Sequence, residues 1–499
     1  MKRTNTIYTI TLFLVLISGI FQHSNAQVEA DFYEEKINNV NITVDLVADY
    51  GVNNSDTKDD SPLLQKAIDD ITNAGKRGKI FLKKGTYYLS NIELKSNIHL
   101  VIEENAVIIP QDPGNDKNYK VFTFGGNRAT VGSISIRSTN KKFIVDLSKV
   151  RNPNIAVITL LNVDNFYISG MKVIDNDTKF SAITFGYSAF ENNYYKPRNG
   201  VVKNCHISNA HYGYGLVQSQ AAKNVFFKNI SGSGGVTLRL ETGYSKMNEL
   251  QVGGNFDIYG KKISSKNGNA TVMISPHAIK NGHVEIDDIT AVNSGFAVRI
   301  GNGYTTKEQA ALGLKPGYFA STSKVTNIKA TYGETAQVKS KHFKYMPCAE
   351  RALIANDFNP DGESYTAPAI APVLNAAEGS GQGYYNVTIQ NVSGSGFKNL
   401  SKNILLEKDS DTCTGTSNTR IKNEETVVDQ ITVYPNPSKG KVYIKNLGDN
   451  TINSVVIRNS NGQIIEQAVH STSLIDLSKY NSGIYFIRIN NETHKVIIE

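Results

Sequence analysis

The chain has 499 residues, room for one large domain and a small one, with a formal net charge of +8, 25 tyrosines, 20 phenylalanines, no tryptophan and three cysteines. Three cysteines exclude a disulfide framework, and beyond the first residues no run approaches the ~20 apolar residues of a membrane helix. The positive excess is mild and dispersed, which points away from nucleic acid and suits an anionic polymer.

Lys2 and Arg3 open a basic start, an apolar stretch runs from Ile7 to Phe21, and Ser24-Asn25-Ala26 forms a small-residue exit before Gln27. That order predicts a secretory signal peptide over residues 1–26, whose apolar core is too short to span a bilayer comfortably. The predicted compartment is therefore oxidising, where Cys348 and Cys413 could pair. Cys205 lies in an apolar strand pattern and reads as a small core residue.

Residues 45–110 read as the entrance to a β-solenoid. After an acidic turn at Asp56 to Asp60, Ser61 is expected to cap a helix over 61–73 with Pro62 at its first position, and Leu64, Ile68 and Ile71 share one face. Short strands follow around Ile80, Tyr87, Ile92 and Leu100. A helix placed before such strands can plug the open end of a solenoid, whose edge would otherwise invite strand addition. This opening resembles that of pectate-lyase-like β-helix enzymes.

Through the middle a short apolar–polar phrase recurs, as in Asn165 to Ser169, Val201 to Ile207, Val225 to Ser231, Phe256 to Ile263, Val284 to Thr290 and Val387 to Ser393. With the last isoleucine of each phrase as landmark, Ile207, Ile230, Ile263 and Ile289 should be lateral neighbours. The wide step from Ile230 to Ile263 accommodates a loop from Gly243 to Gly254. A period in the twenties with Gly and Asn at the corners predicts an all-β fold, a right-handed parallel β-helix over 27–401. The absence of long helical patterns speaks against a leucine-rich repeat or an α/β fold.

After Gly234-Gly235, Val236, Leu238 and Leu240 alternate with Thr237, Arg239 and Glu241. Period two sends the first set into the core and the second to the outer face. Glu241 lies as far past Ile230 as Gln218 lies past Ile207. With coils stacked at ~4.8 Å, Gln218 and Glu241 are expected side by side. Ser275, His277 and Arg299 would continue the surface on the next coils. A carboxylate with an amide, an imidazole and guanidinium groups is what cleavage at an acidic or sulfated sugar needs: a proton donor, a water holder and anion clamps. A solvated polar ladder, which every β-helix carries, explains the same spacing.

The blocks Gly234 to Thr242, Ser275-Pro276-His277-Ala278-Ile279-Lys280-Asn281-Gly282 and Ala297-Val298-Arg299 are similar to the catalytic region of the iota-carrageenases, endo-acting β-helix glycoside hydrolases. The likeness extends loosely over residues 45–400. It implies Glu241 as general acid, Gln218 and His277 as polar residues at the cleavage point, and Arg239 and Arg299 as substrate-facing cations. It implies an anionic sulfated polysaccharide as substrate, no required cofactor (structural calcium being compatible), and a monomer. The sequence departs from the family at Gly243, where an aspartate serves as general base in an inverting mechanism. The candidates to replace it are Glu249 in the adjacent loop and a water held by Gln218 and His277.

The rivals are a polysaccharide lyase, a polygalacturonase-like hydrolase and a non-catalytic glycan-binding solenoid. A lyase would want an acidic calcium cluster that the Glu241 strand lacks. A polygalacturonase-like site would want a pair of aspartates, and Asp287-Asp288 falls at a turn away from Glu241.

Residues 402–429 read as a polar linker, and 430–499 as a small antiparallel β-sandwich. Tyr434-Pro435-Asn436-Pro437, Asn461-Gly462, Ser482-Gly483-Ile484-Tyr485 and the apolar terminal strand resemble the C-terminal sorting domain of the type IX secretion system. The resemblance implies the secretion machinery as a partner. A carbohydrate-binding sandwich is the rival, though no aromatic platform is evident.

Overall fold

The computed structural model describes residues 27–410, 413, 431–446, 455–460, 463–468, 474–489 and 492–499. The predicted signal peptide and most of the predicted linker lie outside the described residues. The chain divides into two compact units between Thr412 and Cys413.

In the first unit, short strands wind into a parallel β-helix whose ladders form one continuous 24-stranded sheet. The helix Ser61–Asn73 forms where predicted and buries Leu64, Ala67, Ile68 and Ile71 in the solenoid core. Its cap is one residue earlier than expected. Asp60 is the N-cap, Pro62 falls at the second helical position, and the Ser61 hydroxyl accepts from the Ser90 amide at 2.8 Å. Ser61 thus ties the plug to a neighbouring strand instead of capping it.

Inside, aromatic rings meet tilted or edge-on from coil to coil, as in Phe166–Phe185–Phe227 with centroids 5.7 Å apart at each step. At the corners the chain turns through left-handed residues, for which asparagine is tolerated because its short amide bonds locally. Asn199, Asn204, Asn224 and Asn229 all have positive φ. Their amides stack: Asn224 donates to Asn199 at 2.9 Å, and Asn229 to Asn204 at 2.8 Å.

The register departs from the isoleucine landmarks at one point. Ile230 pairs with Ile263 and Ile263 with Ile289, as expected. Ile207, however, pairs with Gly232, and two register shifts follow before Gly215 meets Val236. The strand His206–Ser219 has more residues in this turn than Ala221–Glu241 beside it, and the extra residues bulge out. Counting from an isoleucine cannot detect a bulge.

The alternation after Gly234 also breaks. Val236 packs not in the solenoid core but in a second apolar cluster with Phe296, Val338 and Met346, while the Thr237 hydroxyl donates to Ser264 O at 2.9 Å. Gly234 and Gly235 turn the chain here at φ 78° and 60°, and a Cβ on Gly235 would lie 2.3 Å from Tyr214 O. The tight corner resets the phase, and Leu238 and Leu240 then point inward as predicted.

The solenoid also runs further than predicted. Ile404–Leu406 pairs in parallel with Ala371–Asn375, inside the segment read as linker. Residues 27–37 lie along the flank: Phe32 and Tyr33 are buried against Tyr167, Val201 and Phe226, and Glu29 ion-pairs with Lys203 and Lys228 at 2.8 and 3.0 Å. Cys205 is a free, buried thiol.

Among its described residues the second unit has a three-stranded and a four-stranded antiparallel sheet, with Val442, Ile457, Leu477, Ile487 and Val496 buried between strands. This is the predicted sandwich. No helix among the described residues is long and apolar enough to cross a membrane.

Candidate active site

One row of lateral neighbours runs Thr123, Thr159, Thr184, Gln218, Arg239, Met273, Arg299. Gln218 therefore stands beside Arg239, not beside Glu241 as predicted. Across the bulged turn the register shifts by four residues, from Ile207 beside Gly232 to Gln218 beside Arg239, which leaves Gln218 two residues off the predicted pairing. Glu241 pairs instead with Ser275, at the rim of the same sheet. The expected residues still converge, because Gln218, Arg239, Glu241 and His277 all line one cleft of about 550 Å³. Arg299 lies two coils beyond Arg239 on the row, outside that lining. It donates toward Asn269 and lies 3.1 Å from His342.

Glu241 is 7% exposed. The Arg239 guanidinium pairs with its Oε2, and His277 Nε2 lies 3.0 Å from its Oε1. Burial pushes the carboxyl's pKa up. The charge of Arg239, the bond and charge of His277 and the charge of Arg299 outweigh it and hold the pKa at about 2. The resting carboxylate is thus ionised and accepts from His277, which donates from Nε2.

His277 sits in a left-handed turn at φ 50°, just past the end of its strand. The short helix Ser245–Leu250 holds it there. Asn248 donates to Thr242 O at 2.6 Å and accepts from Ala278 N at 3.0 Å, clamping the Glu241 loop to the His277 loop. Tyr304 packs on the imidazole with centroids 4.7 Å apart, and Arg239 lies over the Tyr214 ring at 5.5 Å. Sequence reading missed Asn248 and Tyr304. Each meets a partner brought close by the coil stacking, Ala278 and His277, so no local motif marks it.

Gly243 borders both key groups. A Cβ there would lie 3.1 Å from His277 Nε2 and 3.7 Å from the Glu241 carboxyl carbon. His277 fills the space into which a side chain at 243 would grow. Glu249 is exposed, pairs with Lys246 at 3.2 Å, and is not part of the cleft lining. Among the described residues lining the cleft, Glu241 is the carboxylate. Gln218 is buried at the cleft wall. No cluster of three or more His, Cys, Asp or Glu among the described residues could hold a metal ion.

The chain is 37% identical over 413 residues to the iota-carrageenase of Zobellia galactanivorans, covering 71% of this chain and 83% of that one. The chain belongs to the iota-carrageenase family. A second iota-carrageenase, from Alteromonas macleodii, is 30% identical and is covered over 85% of its length. The structure of an iota-carrageenase complexed to iota-carrageenan fragments superposes with a TM-score of 0.72 at 27% identity, covering 78% of this chain and 96% of that one.

Residues 46–255 match the rhamnogalacturonase A/epimerase, pectate lyase-like family, as the solenoid entrance suggested. Residues 432–499 match the secretion system C-terminal sorting domain. This member of the iota-carrageenase family is therefore a secreted glycoside hydrolase built on a parallel β-helix.

Proposed function

We propose that the protein is an endo-acting hydrolase of iota-carrageenan that cleaves the β-1,4 linkages of this sulfated galactan with inversion. The observation that carries the reading is the buried Glu241 carboxylate held between Arg239 and His277 in the cleft. Glu241 serves as the general acid. Ionised in the resting site, it can donate a proton only once its pKa rises, and the substrate supplies the means. A sulfate ester that takes Arg239 as its partner removes the strongest counterweight to burial, and burial then favours the protonated acid.

Water activation falls to Gln218 and His277. An inverting enzyme keeps its acid and base ~6.5–9.5 Å apart so that water fits between them. At 3.0 Å from Glu241, His277 leaves no such room. The imidazole must turn off Glu241 toward a water held by the Gln218 amide, and protonation of Glu241 releases it to do so. The proton given to the leaving oxygen is balanced by the one His277 takes from water. Restoring the His277–Glu241 contact returns that proton and resets the site.

Gly243 supports one other reading. Without a carboxylate at that position, the cleft could bind the glycan and not cut it. Reducing-end release from purified iota-carrageenan separates the two, and the absence of an absorbing unsaturated product separates hydrolysis from a lyase reaction. Glu241→Gln is expected to lower turnover at least ~100-fold. Near-normal turnover in that variant would remove Glu241 from the reaction.

A further inference from the structure

Beyond the cleavage point, a set of exposed tyrosines is left unexplained by the fold. Tyr244 is 53% exposed and lines the cleft that holds Glu241. Tyr194 is 49% exposed on a two-stranded hairpin, Ser188–Phe190 with Asn193–Tyr195, and its ring centroid lies 5.9 Å from that of Tyr187. Tyr187 directly follows Phe185 and Gly186, which line the same cleft as Tyr244, so the hairpin leaves from the cleft wall.

The patch is built to stay in place. Glu191 and Asn192 both adopt positive φ at the hairpin tip, the Ser188 hydroxyl donates to Gly126 O at 2.8 Å, and the Tyr244 amide donates to Gln220 Oε1 at 3.0 Å. Aromatic rings left facing water and fixed at the end of a cleft mark a binding surface. A ring with an apolar face and a hydroxyl edge matches a pyranose, which presents C–H groups on one face and hydroxyls around its rim. The chain has no tryptophan, so tyrosine is the residue left for this task with both an apolar face and a polar edge.

We propose that Tyr244, Tyr187 and Tyr194 form a stacking rail that takes pyranose rings of the polysaccharide several residues away from the scissile bond. The proposal rests on reading the cleft as a polysaccharide site, and the rail continues that cleft through Tyr244. Its role is to hold long chains, so it contributes to polymer binding and not to bond cleavage.

The test compares Tyr194→Ala and Tyr187→Ala with the parent on iota-carrageenan polymer and on short oligosaccharides that fill only the cleft. Both variants are expected to raise KM on polymer about 3- to 10-fold with kcat unchanged, and to leave KM on the short substrates alone. Tyr194→Phe keeps the ring and should retain the parent KM. Polymer binding to the Glu241→Gln protein, measured by affinity electrophoresis, should weaken equally when Tyr194→Ala is added. An unchanged polymer KM and unchanged retardation in folded alanine variants overturn the rail, as does an equal rise in KM on both substrates. Absence of all turnover in the parent overturns the hydrolase reading instead, and the electrophoresis then still decides the rail.

Discussion

Two ladders on the same solenoid diverge in how they are built. At the corners, asparagine stacks on asparagine and each amide finds its partner in the coil above or below, as in Asn224 and Asn199. The cleft row begins the same way, with Thr123, Thr159 and Thr184 and a 3.1 Å bond between the Thr159 and Thr184 hydroxyls, and then breaks into unlike residues: Gln218, Arg239, Met273 and Arg299. There the side chains bond across to other elements, Arg239 to Gly213 O and Arg299 to Asn269, and a buried carboxylate is kept ionised by cations. Regular stacking stabilises the coil. The broken ladder places charge at the cleft.

The sharpest way to break the contrast is Arg239→Met. Glu241 would lose its partner while staying buried, which costs about 3–5 kcal/mol of stability at neutral pH. Its pKa should climb from about 2, because burial then acts with less opposition. The sign follows from linkage. In the parent, a depressed folded pKa gives stability that is present above the unfolded carboxylate value and lost as pH falls toward 2. In the variant that contribution is gone, so the Tm difference between the two proteins should be large at pH 7 and shrink below about pH 4. A Tm difference independent of pH would show that Glu241 is not held by Arg239. The variant should also lose about 100-fold in kcat/KM on the sulfated polymer.

Asn248→Ala probes positioning. It removes the clamp between Thr242 and Ala278, leaving buried groups unpaired, and a shift of the two loops should lower kcat about 10- to 100-fold. Its neighbour supplies the control, since Glu249→Ala should stay within about twofold of the parent rate. A large loss there would instead make Glu249 the recruited base. The smallest effect on rate belongs to the regular ladder. Asn224→Ala should cost about 1 kcal/mol in chemical denaturation and leave kcat/KM untouched.

Much of this architecture was readable from the chain. The plug helix, the strand at Leu238 and Leu240, the Gly243–Gly254 excursion and the terminal sandwich all follow from periodicity and turn residues, which are local signals. The residues Gln218, Glu241 and His277 were found together, but their order on the surface was not. That order depends on bulges between Ile207 and Gly215 and on the Gly234-Gly235 corner, where backbone geometry overrides counting. Asn248 and Tyr304 were invisible for a related reason: each gains its meaning from atoms on another coil, and a single sequence carries no record of which coils meet. The C-terminal boundary was misplaced because Ile404 to Leu406 is too short a strand to stand out from polar neighbours.

The segment at 27–37 has a consequence for the order of events in folding. Glu29 reaches Lys228, and Glu34 bonds Asn165 at 2.7 Å, across 199 and 131 residues of sequence. These contacts close very long loops, so they cannot form until the coils carrying Tyr167, Val201 and Phe226 are wound. The part of the described chain synthesised first is thus a late one to dock. It acts as a latch: the solenoid zips coil by coil, and the early residues then cover an apolar strip that would otherwise face water. Deleting 27–36 should leave the coils able to wind while exposing that strip, so the shortened protein would fold and then self-associate.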